Sequence, residues 1–65
     1  MKVHYDKEVD AAYIRFSSKR PQGAIEIDEG VIFDVSAEHQ IVALEVLDAS
    51  QRFPIRNLFT LELAE

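Results

Sequence analysis

Residues 41–50 read IVALEVLDAS, and the fold turns on them. Val42, Leu44 and Val46 alternate along one face, and Ile41, Ala43 and Leu47 make the other face apolar too, apart from Glu45. A strand apolar on both sides belongs in the middle of a sheet with cover on each face. The chemistry then changes. Asp48, three residues before Gln51, resembles a capping box whose aspartate oxygen accepts an N–H from the first turn of a helix, with Ser50 as the alternative cap.

Working outward towards the N-terminus, residues 1–5 alternate with Val3 and Tyr5 on one side, a first strand. Asp6 and Asp10 bound a charged connection and suit turn closure through side-chain to backbone bonds. Residues 11–17 alternate again, with Ala12, Ile14 and Phe16 facing one way and Tyr13 and Arg15 the other. Pro21 and Gly23 fit a type I turn. Residues 24–28 form a third strand, Glu29-Gly30 a tight hairpin with positive φ at Gly30, and residues 31–35 a fourth strand. Residues 36–40 are a polar hairpin loop leading back to the central strand. Short turns throughout predict antiparallel pairing as a β-meander of about five strands.

Downstream, Pro54 suits the first turn of a helix, and Ile55, Leu58 and Phe59 recur at helical spacing. Residues 60–63 fit either a continuation of that helix or a strand with Leu61 and Leu63 on one side. The fold class expected is α+β, mainly β: one small domain over residues 1–65, with a meander over 1–47 and a helical segment over 48–65.

A chain of 65 residues sits near the lower limit for folding on a single core. There is no cysteine, so disulfides and thiolate metal sites are excluded, and oligomerisation is the ordinary remaining support. No apolar run reaches the ~20 residues of a membrane span, and the first ten residues lack a signal-peptide core, so the expected address is cytoplasmic. The net charge of -5, from 12 acidic and 7 basic residues, repels phosphate backbones and favours basic partners. Nucleic acid is therefore not an expected partner.

Tyr5-Asp6 with Asp10, Ala11 with Tyr13-Ile14-Arg15, Gly30-Val31-Ile32 with Asp34, and residues 44–50 (LEVLDAS) fall in an order that resembles the small prokaryotic family known as domain of unknown function 2283. The LEVLDAS stretch is its most specific part. The resemblance implies a compact β-meander with a short C-terminal helix, no established activity, and an association of some members with toxin–antitoxin-like gene neighbourhoods. The chain departs from the pattern at His39, where the family usually carries glycine, and at Ala43, which replaces a frequent strand glycine. The first departure asks histidine to adopt a positive φ.

Two function classes follow. In the first, the protein acts through protein–protein interaction, self-associating as a homo-oligomer or serving as an antitoxin-like accessory that covers a small basic toxin-like protein. Tyr13, Arg15, Ala43, Glu45 and Leu47 are the interface candidates, because Tyr and Arg are enriched at interfaces and their face is too apolar to stay wet. Arg15 is also placed to pair across strands with Glu26 or Glu45. In the second, Asp6, Asp10, Asp34 and Glu45 build a small metal-dependent enzyme; oxygen-rich clusters suit Mg²⁺ or Ca²⁺. Their spacing matches no metal loop, so no cofactor is expected. Asp6, Asp10, Gly30, His39, Asp48 and Ser50 then read as structural turn and cap residues.

Overall fold

The computed structural model describes residues 1–60. Five strands form one antiparallel sheet: β1 (Lys2–Asp6), β2 (Ala11–Arg15), β3 (Gly23–Asp28), β4 (Val31–Val35) and β5 (Ile41–Val46). Their order is β1-β2-β5-β4-β3. The expected central strand is central, but the pairing departs from a sequential meander at one point. The chain leaves β2, crosses to the far edge as β3, and returns through β4 to lay β5 against β2. A strand apolar on both faces gains most between two neighbours, and this order gives β5 two while keeping every hairpin tight.

Register sorts the side chains by parity. Val3, Ile14, Leu44, Phe33 and Ile25 stand in one row across the sheet, one from each strand. On the opposite face His4, Tyr13, Glu45, Ile32 and Glu26 make the corresponding row. The first face is the core side: Ala12, Ile14 and Val46 pack with Ala49 and Leu58, and Val3, Tyr5, Leu44, Phe53 and Ile55 close around them. Among the described residues, cover is confined to the β1-β2-β5 half. Along the apolar row exposure rises from 9% at Ile14 to 50% at Ile25. The molecule is 19 Å along its short axis, room for the sheet and one further layer at a spacing of about 10 Å.

That layer is two 3-10 turns, Ala49–Gln51 and Ile55–Thr60, where the sequence predicts a helix. Pro54 explains the break: it offers no N–H, and its ring pushes Phe53 out of helical geometry, leaving runs short enough to favour 3-10 bonding. Asn57 N–H accordingly bonds Pro54 O at 3.0 Å. The choice between helix and strand over residues 61–63 lies outside the described residues.

Gly23 is the first residue of β3, opposite Val35, and closes no type I turn. The bend sits at residues 18–19, where Ser17 Oγ accepts Lys19 N–H at 3.1 Å. Gly30 adopts φ 75° and His39 φ 64°, as expected of both. No helix among the described residues is long and apolar enough to cross a membrane.

Candidate functional site

Two places in the fold gather polar chemistry. The first is the junction at residues 47–52, where the β1-β2 and β3-β4 turns converge on the end of β5. Leu47 N–H donates to Gly30 O at 2.8 Å, and two residues later Ala49 N–H donates to Asp10 O at 2.9 Å. Between them Asp48 turns the chain with φ 52°. Asp10, also at positive φ (54°), holds the junction through its side chain. Its Oδ1 accepts Tyr5 OH at 2.6 Å and Ser50 N–H at 3.1 Å, and its Oδ2 accepts Ser50 Oγ at 2.6 Å. Arg52 reaches the other hairpin, donating to Glu29 O and lying 3.5 Å from Asp28 Oδ2.

These bonds set the electrostatics of the junction. The Ser50 hydroxyl, followed by the Tyr5 hydroxyl, holds the Asp10 carboxyl below its ordinary range, because both stabilise the anion. The same bond to Asp10 raises Tyr5, whose ionisation would place two negative charges together. An oxygen accepting two donors and a second accepting a hydroxyl make a structural latch. Both Asp10 oxygens are thus engaged within the chain.

The second place is the sheet face opposite the 3-10 turns. Tyr13 lies opposite Glu45, Arg15 opposite Ala43, and Asp34 opposite Ala43 from the other side. Burial pushes the Glu45 carboxyl up, and Asp34 beside it adds to the shift through a hydrogen bond and its charge. The interface candidates Tyr13, Arg15, Ala43 and Glu45 are thus brought onto one face, with Leu47 just past its end and 45% exposed. Ala43 is fully buried beneath its neighbours and has no surface to offer a partner.

Three further expectations need correction. Asp48 occupies the N-cap position in a left-handed rather than an extended backbone conformation and makes no side-chain capping bond; only its carbonyl serves, accepting Gln51 N–H at 3.0 Å. Ser50 is no cap either, since its hydroxyl donates to Asp10. Arg15 pairs with neither Glu26 nor Glu45: Nε donates to Ser17 O at 2.8 Å and Nη2 to Lys19 O at 3.0 Å, knitting the bend after β2. Asp6 closes its turn as expected, accepting Glu8 N–H at 3.0 Å. Among the described residues no three His, Asp or Glu side chains are grouped to hold a metal ion. Sequence reasoning missed the Tyr5–Asp10–Ser50 latch, although all three residues lie in the motifs that carry the family resemblance.

A protein of Methanosarcina mazei named "Putative hypoxanthine phosphoribosyltransferase" is 42% identical over 52 residues, 80% of this chain and 42% of that protein. The chain therefore spans less than half the length of this curated relative. No solved structure matches the chain. The family described as "Protein of unknown function (DUF2283)" matches residues 2–50, from the first residue of β1 to the Ser50 that closes the latch. The chain belongs to that family.

Proposed function

We propose that the protein acts through protein–protein contact and that its first partner is a second copy of itself. The observation that supports this is its thin core. Three of the seven buried apolar residues among the described ones are alanines (Ala12, Ala43 and Ala49), while Ile25, Ile27 and Leu47 stay about half exposed. A chain this small gains little from a single core, and further burial against a partner offsets more of its ordering entropy. Sedimentation equilibrium at micromolar concentration is expected to return at least twice 7.4 kDa. A monomer that still unfolds cooperatively would overturn the reading.

A basic protein partner is the second reading. It is favoured by the edge strand β3 and its turn, where Glu26, Asp28 and Glu29 are all exposed. An antitoxin-like role in the cytoplasm, covering a small basic toxin-like protein, belongs to this reading. Co-purification with the product of an adjoining gene for such a protein tests it. The activity in the Methanosarcina mazei relative's name is not carried over. The matched stretch is 42% of that protein, and the open cleft beside the junction is lined by Glu26, Glu29 and Asp48 with Arg52 as its cation. The metal-dependent alternative has less support: Asp10 is engaged by Tyr5 and Ser50, while Asp34 and Glu45 lie on the sheet face opposite.

A further inference from the structure

The sheet face opposite the 3-10 turns is divided by charge. One row reads Lys2, Arg15, Ala43, Asp34, Ala24 from β1 to β3, and the next reads His4, Tyr13, Glu45, Ile32, Glu26. In these two rows cations stand on the β1-β2 half and carboxylates on the β5-β4-β3 half; Asp6, at the end of β1 on the same face, is the exception beyond them. The division is across the strands, not along them.

We infer that this face is self-complementary and forms a twofold dimer, sheet against sheet, with the axis running along β5. The inference rests on self-association as the proposed function and specifies its geometry. A twofold axis in the plane of the face and parallel to β5 exchanges the two halves without shifting the rows. It sets β2 over β4 of the second copy, and β1 over its β3. Arg15 then meets Asp34 of the second copy, His4 meets Glu26, and Tyr13 lies on Ile32. Each contact occurs twice, as an isologous interface requires. An axis running across the strands would instead set each strand over its own copy, so that the cationic half faces the cationic half and the acidic half the acidic half, and like charges disfavour that arrangement.

On the axis itself Ala43 is small and fully buried beneath its neighbours. Glu45 meets its own copy there, the one like-charged contact in these two rows. Arg15 uses Nε and one Nη2 hydrogen on backbone carbonyls, which leaves Nη1 free for Asp34 of the second copy.

Charge reversal tests the geometry. In R15E a carboxylate would face Asp34 in both contacts, and in D34R a guanidinium would face Arg15 in both. Each variant alone is expected to weaken dimerisation at least ~10-fold in sedimentation equilibrium. An equimolar mixture of the two is expected to recover it, because both contacts of the heterodimer are attractive. In one, the carboxylate introduced by R15E faces the guanidinium introduced by D34R. In the other, the native Arg15 of one chain faces the native Asp34 of its partner. Circular dichroism reports whether each variant keeps its sheet. If R15E disturbs the bend after β2, H4E and E26R take the place of the two variants in the mixture, since His4 meets Glu26 in the same arrangement and neither makes those loop contacts. If the wild type dimerises and both variants dimerise equally well, self-association stands and this face is not its seat. Folded variants that are monomeric alone and remain so when mixed overturn the pairing. A monomeric wild type removes both claims.

Discussion

The two faces of the sheet are built from the same strands and do opposite work. On β2, Ala12 and Ile14 are buried against Ala49 and Leu58, while Tyr13 and Arg15, alternating with them, lie on the uncovered side. The covered face is held by apolar contact with the 3-10 turns. The open face carries a carboxyl pair, a guanidinium tied to backbone carbonyls and a tyrosine, all half-buried. Because side chains alternate with a period of two, a shift of one position moves a side chain from the covered face to the open one. The effect of a substitution is therefore set by parity more than by its place along the chain.

The largest expected contrast is between Leu58 and Tyr13. Leu58→Ala removes the one leucine buried in the covering layer among the described residues and is expected to cost ~2–5 kcal/mol in urea unfolding. Tyr13→Ala should change monomer stability by no more than about 1 kcal/mol while weakening self-association. Equal losses of stability from both variants would break the comparison.

Next in size come the turns that converge on the junction. Gly30→Ala forces a side chain onto a residue at φ 75° and places its Cβ 3.3 Å from Leu47 Cβ. A loss of ~1–2 kcal/mol is expected. Asp48 is also left-handed but is already an L-residue that tolerates the region, so Asp48→Ala should cost about 1 kcal/mol or less. Asp48→Gly should leave stability unchanged within about 0.5 kcal/mol, because relief at positive φ offsets the added freedom of the unfolded chain. A severe loss in Asp48→Gly would mean that the carboxylate itself carries weight at this position.

Much of the fold is legible because it is written in periodicity and turn chemistry. The five strands, the central place of β5 and the Gly30 hairpin follow from alternation and local φ preferences, while the left-handed His39 follows from the family resemblance, which puts glycine at that position. The site is less legible. Asp10 and Ser50 are 40 positions apart, and spacing says nothing about a contact made only once β5 has returned beside β2. Local reasoning assigns the cap to Asp48 because it stands next to the turn; the structure ties the turn through Asp10 from across the sheet. Arg15 misleads for a related reason. Cross-strand carboxylates are its visible partners, but the carbonyls of Ser17 and Lys19 lie closer along the chain and need no register to reach.

The smallest effect distinguishes the two faces by acid titration. Asp10, at the junction on the covered side, has its proton affinity lowered below the ordinary 3.8 by the Ser50 and Tyr5 hydroxyls. Between that value and its lower folded value the unfolded chain binds more protons, so its contribution is fully present above about pH 5 and is lost as the pH falls through the folded value. Glu45, on the open face, has its affinity raised above the ordinary 4.5 by burial and by Asp34. Between 4.5 and its folded value the folded chain binds more protons, so stability declines as the pH rises through that window. The two limbs therefore slope in opposite directions and belong to opposite faces. Asp10→Asn should flatten the acid limb while lowering stability near neutrality, since asparagine offers one acceptor oxygen where the latch uses two. Glu45→Gln should flatten only the limb above 4.5 and leave the acid limb in place. Urea midpoints across this range, at concentrations low enough to hold the chain monomeric, check both. If Glu45→Gln and the wild type run parallel above 4.5, the open face does not bury Glu45, and its carboxyl pair is an ordinary solvated one.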